Sequence, residues 1–299
     1  MDERLRSLDW ALVQSFLAVA EEGSLSAAAR RLGASQPTLG RQVKAMEDAL
    51  DAKLFARHAR GFALTEMGEA VLPAARAMAR AMNDIRVAAA ARETDLTGTV
   101  RITASINVSH AMMPPVFAKA RAQYPGIQLD LVPSDDSENL LYGESDIAVR
   151  MYRPTQPDLI AQFLGTFELG CFAAKSYLDA VGRDDNLEAL FERDLVGYDA
   201  SRRILDGMAE RGFEATRKSF ATRCDDPLTQ WELIASGCGL GFGPVVVGEA
   251  DARVERIPLP FEVEGLSMWL TTSEAMLRTP RIRAIWDLLI AELSQSRAA

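Results

Sequence analysis

The sequence has few of the residues that build metal centres and nucleophilic active sites. Two histidines, His58 and His110, occur in 299 residues, which excludes a histidine-rich metal site. There is no G-x-S-x-G motif and no P-loop, so the signatures of serine hydrolases and of P-loop nucleotide-binding enzymes are missing. We therefore expect a protein that is not an enzyme, with no catalytic residue, no metal and no cofactor.

Cysteines and long apolar runs are also scarce. The three cysteines are odd in number and lack C-x-x-C spacing, which is typical of reduced thiols in a cytoplasmic protein. Buried apolar packing is the favoured interpretation of Cys224 and Cys238, and a redox-sensing pair is the alternative. No apolar run approaches the roughly 18–20 residues that span a bilayer. The N-terminus MDERLRSLDW lacks the apolar core of a secretion signal, so we expect a cytoplasmic protein without membrane contact.

Positive charge is concentrated in one segment of an acidic chain. The formal net charge of the whole sequence is -9, yet residues 30–60 hold seven basic and three acidic side chains, a local charge of +4. Such asymmetry is one indication of nucleic-acid binding. The length predicts about two domains, so the basic segment can belong to a domain of its own.

Three helices are predicted near the N-terminus. Residues 9–22 have one apolar stripe, formed by Trp10, Val13, Phe16, Leu17 and Ala20. Ser24 is a candidate N-cap for the second helix, and the turn Gly33-Ala34-Ser35 separates it from the third. Ser35 caps this third helix, which runs to about Leu50. Its inward positions are Leu39, Val43, Met46 and Leu50.

Two helices joined by so short a turn are typical of a helix-turn-helix, whose second helix enters the major groove of DNA by its N-terminus. Gln can bind adenine, Arg can bind guanine, and Thr suits thymine or phosphate. The predicted readers are Gln36, Pro37, Thr38, Gly40 and Arg41, with Ser35 at the helix start and Lys44 facing phosphate. The alternative is that the three helices form a packing unit that never contacts DNA.

Two further N-terminal elements are predicted. The apolar pieces Leu54-Phe55 and Phe62–Leu64 flank a basic segment, which indicates a hairpin, or wing, and favours DNA reading. A helix then begins after Thr65 and continues to about residue 92, with a kink expected near Leu72 because Pro73 interrupts it. So long a helix on a small domain indicates a linker or a dimerisation arm.

From residue 98 the pattern changes to alternating strands and helices. TVRITAS, IQLDLVPS, SDIAVRMY, FELGCFAA, DLVGYD and SMWLTTS are predicted strands, which favours a mostly parallel sheet with crossover helices. The segment GCGLGFGP over residues 237–244 is no dinucleotide fingerprint, because it follows a helix and precedes a strand. We interpret it as a helix C-terminus leading into a strand.

The N-terminal motifs together resemble the winged helix-turn-helix of LysR-type transcriptional regulators. The segment GSLSAAARRLGASQPTLGRQVKAMEDALDAKLFARHARGFALTEMGE contains the A-A-x-x-L, S-Q-P, R-Q, L-F-x-R and L-T-x-x-G elements of that family. TGTVRITAS, PPVFAKARAQYPGIQLDL, ESDIAVRMYRPTQPDLIA and IASGCGLGFGP resemble the family's effector-binding domain. The resemblance covers essentially the whole chain.

This resemblance implies an α+β multidomain fold. It places a winged helix-turn-helix DNA-binding domain at 1–65, a linker or dimerisation helix at 66–97 and an effector-binding regulatory domain at 98–299. The last is similar to a type 2 periplasmic-binding-protein fold, with subdomain I at 98–166 and 267–299 and subdomain II at 167–266. Family DNA contacts fall on Gln36, Pro37 and Arg41, and on Arg57 and Arg60 in the wing. Gly40 departs from the serine most common in the family, which leaves the preference at that contact open.

Effector-binding residues are predicted from two sources. The segment SINVSHAMMPP is predicted to be the loop after the first strand of this domain, and it offers Ser105, Asn107 and Ser109 beside a helix start, a favourable place for a carboxylate. The alternative is that these residues only cap the helix. The resemblance adds Asp136, Tyr198 and Arg223. If Asp136 faces the cleft, a cationic or hydroxyl-bearing effector is favoured over a purely anionic one.

The expected function is therefore sequence-specific transcriptional regulation, modulated by a small molecule in the C-terminal cleft. The expected partners are double-stranded promoter or operator DNA, the effector and a second copy of the chain in a homodimer or homotetramer, with RNA polymerase as a further candidate. A small-molecule binding module with a vestigial DNA domain is the alternative, and sequence-specific, salt-dependent DNA binding separates the two.

Overall fold

The protein is described from a computed structural model, which covers residues 8–58, 61–90, 96–135, 145–154, 159–183, 194–212, 214–259 and 261–295. The chain divides into two compact units. One comprises Met1–Thr94 with Ser137–Ser145, and the other comprises Asp95–Asp136 with Asp146–Ala299. Within the described ranges, no helix is both long and apolar enough to cross a membrane.

The first unit consists of helices and one small hairpin. Its elements are α1 (Trp10–Glu22), α2 (Leu25–Arg31), α3 (Gln36–Leu50), β1 (Phe55–His58), β2 (Gly61–Leu64) and α4 (Glu66–Ala90). The predicted N-caps are confirmed, since the Ser24 hydroxyl accepts from the Ala27 N–H and that of Ser35 accepts from the Thr38 N–H. The hairpin predicted between Leu54 and Leu64 is also confirmed. Helix α4 continues through Pro73.

The core of this unit lies between the helices and the hairpin. Phe16, Leu17, Leu39 and Leu54 are almost completely buried. The ring of Phe55 in β1 lies 5.5 Å from that of Phe16, so the hairpin packs directly on α1. The inward face of α3 is the predicted one at three of its four positions. Leu50 is only partly buried, and the carboxylate side chain of Glu47 is buried beside it.

Glu47 joins α3 to the start of the hairpin. One carboxylate oxygen accepts the backbone N–H of Leu54 at 2.9 Å and that of Phe55 at 3.4 Å. The other accepts from the Lys53 ammonium at 2.7 Å. Burial raises the pKa of Glu47, but these hydrogen bonds outweigh burial, so the pKa lies below its ordinary value. A buried polar side chain thus fixes the position of the wing relative to α3.

The second unit begins with a five-stranded sheet in the order β4-β3-β5-β12-β6. Its strands are β3 (Gly98–Ala104), β4 (Ile127–Pro133), β5 (Ile147–Arg150), β6 (Leu159–Phe167) and β12 (Leu266–Ser273). The helices that belong to this first lobe are α5 (Ile106–Ala111), α6 (Met113–Gln123), α11 (Glu274–Leu277) and α12 (Pro280–Gln295).

The second lobe is inserted between β6 and β12. Its strands are β7 (Leu169–Ala174), β8 (Leu195–Gly197), β9 (Phe220–Arg223), β10 (Gly241–Pro244) and β11 (Val254–Ile257), in two small sheets ordered β10-β7-β11 and β8-β9. Its helices are α7 (Lys175–Val181), α8 (Arg203–Glu210), α9 (Pro227–Ala235) and α10 (Val245–Ala250). The rings of Phe172 and Trp231 pack edge to face at 5.5 Å and form part of the core.

The expectation of a mostly parallel sheet holds for the five-stranded sheet except at β12, and it fails for the β10-β7-β11 sheet. β3 is parallel to β4 and β5, but β12 runs antiparallel between β5 and β6, and β7 is antiparallel to β10 and β11. The reason is topological, because the chain leaves the first lobe after β6 and β12 returns to it in the opposite direction. The predicted strand FELGCFAA is likewise divided at Glu168, between β6 and β7.

Two further segments, SINVSHAMMPP and GCGLGFGP, test predictions made from the sequence. The segment SINVSHAMMPP was expected to be a loop, but it forms α5 and the start of α6. The interpretation of GCGLGFGP as a helix C-terminus entering a strand is confirmed. Gly237 follows α9 with φ of 90°, the Cys238 N–H donates to the Leu233 carbonyl at 3.0 Å, and β10 begins at Gly241.

We predict that Glu47→Gln loosens the wing. The substitution removes the charge that holds the ammonium of Lys53 and two backbone N–H groups, at a cost of about 1–3 kcal/mol in the free energy of local opening. Hydrogen exchange at the amides of Leu54 and Phe55 in the full chain measures this energy. Asp48→Asn, at the exposed neighbouring position, is the matched control.

The pH dependence has a defined sign. Because folding lowers the pKa of Glu47, its stabilisation is complete above the ordinary value of 4.5 and is lost as the pH falls through the lower folded pKa. The difference between wild type and Glu47→Gln should therefore shrink at acidic pH. A difference that is unchanged from about pH 7 to below that folded pKa contradicts the assigned role.

Candidate functional site

The start of α3 presents a row of polar side chains to solvent. Gln36, Arg41 and Lys44 are exposed, and Thr38 is half-buried. The Ser35 hydroxyl accepts the Thr38 N–H at 3.2 Å, and the two hydroxyl oxygens lie 2.8 Å apart. The Arg41 guanidinium in turn reaches the Thr38 hydroxyl at 3.5 Å. This chain of contacts orients the predicted reading residues before any partner binds.

Gln36 is oriented from the preceding helix. The Ser26 hydroxyl donates to the Gln36 side-chain oxygen at 3.2 Å, which joins α2 to α3 across the turn. Pro37 follows in the first helical turn and is exposed. Sequence reasoning missed Ser26, although its place on the exposed face of the first motif helix was a usable signal.

Gly40 is not required by the packing of this unit. Within the described part of the chain, a Cβ atom built there meets only the Leu25 Cδ1 atom, at an ordinary distance of 3.9 Å. Its backbone is helical, so neither strain nor crowding inside the domain demands glycine. The open space at Gly40 therefore belongs to the outer surface of the helix.

The wing is held against the helices by its backbone. The Phe62 N–H donates to the Gly23 carbonyl at 2.8 Å, and Gly61 has φ of 135°, with no room for a Cβ next to that carbonyl. Arg57 lies on β1, is exposed and stands opposite Phe62 in the hairpin register. Arg60, the other predicted wing contact, lies outside the described residues.

A cavity of about 690 Å³ lies in the second unit, lined by residues of both lobes. Its aromatic lining consists of Tyr152, Tyr198, Trp231, Phe242, Phe261 and Trp269. Such a volume and such an aromatic lining are typical of small-molecule sites. Asn107 and Tyr198, two of the predicted effector contacts, are brought together in this lining.

Two buried N–H donors in the lining have no hydrogen-bond partner among the described residues. They are the side-chain amide of Gln230, a residue only 3% exposed, and the indole N–H of Trp269. The Arg153 guanidinium lies 5.4 Å over the Trp269 ring. Leaving a buried donor unpaired is unfavourable, so this wall of the cavity is suited to a ligand with acceptor atoms.

Ser105, Ser109 and Arg223, three of the other predicted effector contacts, do not line the cavity. Ser109 is buried and donates to the Ala104 carbonyl at 3.0 Å. The Ser105 hydroxyl is buried and makes no capping bond; the Ile106 N–H is accepted instead by an Asp135 carboxylate oxygen at 3.1 Å. Asp136 lies outside the described residues. The assignment of these side chains to an effector stays a prediction.

Arg223 contacts the chain around β9. Its guanidinium donates to the Phe220 carbonyl at 2.8 Å and to the Arg217 carbonyl at 3.1 Å, and it lies 3.8 Å from an Asp199 oxygen. The buried Arg150 donates to the Thr103 hydroxyl at 3.0 Å within the first-lobe sheet.

The loop after Tyr198 is organised by Asp225. This carboxylate accepts the backbone N–H groups of Asp199, Ala200 and Ser201 at 3.0–3.3 Å. The hydrogen bond from Ala200, with those from its neighbours, lowers the pKa of Asp225. Burial raises the pKa of Tyr198, so its phenol is a neutral donor to the cavity.

Two family models match the chain in the same order as its two units. The lysR-family bacterial regulatory helix-turn-helix matches residues 10–69, and the LysR substrate binding domain matches residues 93–294. The chain belongs to the LysR family. It is a LysR-type DNA-binding transcriptional regulator with a C-terminal effector-binding domain.

Similar proteins cover most of this LysR-type regulator. An HTH-type transcriptional regulator of Xanthomonas campestris pv. campestris is 32% identical, over 93% of this chain and 84% of its own length. The fold is similar to full-length AphB, a Vibrio cholerae virulence activator, with a TM-score of 0.62, 21% identity and coverage of 95% and 99% of the two chains. It is also similar to CbnR in complex with its target DNA, with a TM-score of 0.53, 20% identity and coverage of 96% and 100%.

We predict that Gly40→Ala stabilises α3 of this regulator and changes its DNA binding. Replacing glycine inside a helix gains about 0.5–1 kcal/mol, and none of the described residues obstructs the new methyl group. Slower amide exchange along α3, with altered affinity for the operator, is the expected result. Lower stability contradicts the assignment of Gly40 to an open surface.

We also predict that Asp225→Asn releases the loop at residues 199–201. The amide has one acceptor oxygen where the carboxylate has two, so amide signals of this loop should lose protection in NMR spectra of the full chain. Glu214→Gln is the control at an exposed position of the same lobe. In the wild type, protection should decrease as the pH falls through the lowered folded pKa of Asp225.

Proposed function

We propose that this regulator reads its operator with the first two turns of α3. The observation that carries the proposal is the exposed row from Ser35 to Lys44, oriented by the contacts of Thr38 and Ser26. Gln36 and Arg41 supply base-edge hydrogen bonds, Thr38 supplies a hydroxyl and a methyl group, and Gly40 lets a base or phosphate approach. The complex of CbnR with its target DNA supports this use of a similar fold.

Backbone phosphates are the proposed partners of the basic residues around this row. Lys44 lies one turn beyond Arg41 and is exposed, and Arg57 is exposed on the wing that Glu47 holds beside α3. Arg60 is assigned to the same task from the family pattern. Contacts of this kind fix the register of a protein on DNA and make its affinity depend on salt.

Self-association through α4 is part of the proposal. Met67, Met78 and Ile85 are 47%, 37% and 63% exposed, which is unusual for large apolar side chains. They are spaced 11 and 7 residues apart, so they recur on one side of the helix. An apolar stripe along a long helix suits pairing with a second copy in a dimer or tetramer. The proposed division is 1–65 for DNA, 66–97 for this helix and 98–299 for the effector.

The proposed signal is a small molecule bound between the two lobes of the second unit. Its binding would change the relative stability of two arrangements of the lobes and hence of the assembly on DNA. We assign the protein to the cytoplasm, where the chromosome is accessible, with RNA polymerase as a further partner and no enzymatic turnover. This last assignment rests on its relatives being transcriptional regulators.

The test begins with genomic footprinting, which identifies the operator. Fluorescence anisotropy on that operator should then show that Arg41→Ala lowers affinity by about 10-fold or more, since a bidentate base contact is lost. Affinity for random DNA should change far less. Arg278→Ala, an exposed residue of the second unit, removes the same charge as a control.

Lys44→Ala should give a different pattern. Affinity for operator and random DNA should fall together, and the dependence of log affinity on log salt should flatten by about one unit. If Arg41→Ala retains normal operator affinity while folded, the proposed reading role of α3 is wrong. If the wild type prefers no sequence at all, the DNA-binding domain is vestigial.

A further inference from the structure

We propose that the effector is a planar aromatic carboxylate, bound by Arg153 of the first lobe and Arg203 of the second. This inference rests on the proposed effector site and specifies its ligand. The observations that carry it are the aromatic lining of the cavity, together with two buried donors and two cations that have no partner among the described residues.

The aromatic walls indicate a flat ligand. Six aromatic side chains line the cavity, three of them from the second lobe between Tyr198 and Phe242. The first lobe contributes Tyr152 and Trp269, whose ring is also 5.2 Å from that of Phe163. Flat rings stack favourably on such faces, and a cavity of about 690 Å³ has room for a fused bicyclic ring.

The unpaired donors indicate acceptor oxygens on the ligand. Gln230 is 3% exposed, yet its side-chain NH₂ contacts no acceptor within the described part of the chain. The same is true of the Trp269 indole N–H. Both residues line the cavity, and both donor atoms are buried in its wall, so a ligand acceptor reaches them after a small rotation of the side chains. A carboxylate offers about four lone-pair positions and no donor, which matches this arrangement.

The cations indicate a negative charge. Arg153 lies over Trp269, and Arg203 begins helix α8; both line the cavity, and neither forms an ion pair with a carboxylate of the described residues. Asp206 also reaches the lining, but its charge is compensated by Arg202 at 3.3 Å. Arginine binds carboxylates in a bidentate geometry, which fixes both the charge and the orientation of a ligand.

Two acids in the lining, Glu210 and Glu264, require an explanation. Glu210 lies at the end of α8, and Glu264 lies in the segment before β12. These two segments are in contact, because the Arg211 guanidinium lies 5.5 Å over the Phe261 ring. This contact brings a positive charge to the same wall. We therefore assign the carboxylate of the ligand to Arg153 and Arg203, and its ring to the aromatic faces between the lobes.

The probes are 2-naphthoate, its neutral amide 2-naphthamide, the cation 2-naphthylmethylammonium and the saturated decahydro-2-naphthoate. Isothermal titration calorimetry of the full chain should rank 2-naphthoate as the tightest of the four. The amide and the cation should bind at least about 10-fold more weakly, because they lose charge-assisted hydrogen bonds. The saturated acid should bind more weakly through loss of stacking.

Variants then test the two arginines. Arg203→Met and Arg153→Met keep the apolar stem and should each weaken 2-naphthoate by about 10-fold, while binding of 2-naphthamide changes little. Gln230→Leu should weaken both the acid and the amide, since it removes a donor to either oxygen. Arg183→Met is the matched control, because Arg183 is an exposed arginine of the second lobe that pairs with Asp179 and Glu255 and is not part of the lining.

The proposal is overturned if the amide or the cation binds as tightly as 2-naphthoate, if none of the four probes binds, or if the arginine variants weaken acid and amide equally. The proposed function fails separately. If 2-naphthoate binds as described but alters neither operator affinity nor the footprint, the ligand class stands and the regulatory role of the cavity does not. If instead the amide or the cation binds most tightly and alters the footprint, the regulatory role of the cavity stands and the proposed ligand class is wrong.

Discussion

The return of the chain through β12 is the constraint on which the effector domain depends. The second lobe is inserted between β6 and β12, so the chain crosses between the lobes near Glu168 and again before Leu266. β12 then pairs antiparallel with β5 and β6 in the middle of the first sheet. Because β6 and β12 are hydrogen-bonded neighbours, the two crossings lie side by side. The cavity forms between the lobes that these crossings connect, and it includes residues from the beginning of β12.

In the DNA-binding unit the buried carboxylate of Glu47 fixes the arrangement of the elements around it. Hydrophobic packing of Phe16, Phe55 and Phe62 holds the wing against α1, but hydrophobic packing is not directional. The hydrogen bonds of Glu47 to two successive N–H groups add direction, and that of Phe62 to Gly23 secures the second strand. The proposed base-reading helix and phosphate-binding wing must hold a fixed spacing to contact one stretch of DNA. Polar bonds supply that spacing.

Charge is distributed unevenly along the chain. The segment at 30–60 has a net charge of +4 in a chain whose total is -9, so the acidic excess lies elsewhere. Inside the cavity the balance is local, because Asp206 is neutralised by Arg202 while Arg153 and Arg203 have no acidic partner in the described ranges. Net charge therefore says little about either site, since each depends on a few side chains within short range.

The amino-acid sequence by itself determined the helices of the DNA-binding unit, their caps at Ser24 and Ser35, the hairpin and the family. These features depend on neighbours within a few residues, where periodicity and capping chemistry act. It did not determine that β12 returns antiparallel, that α5 replaces a loop, or that Gln230, Arg153 and Trp269 share one cavity. Those residues lie tens of positions apart, and only the tertiary structure brings their side chains together. Local sequence specifies how each segment folds, whereas the packing of distant segments decides which polar groups are left unpaired for a ligand.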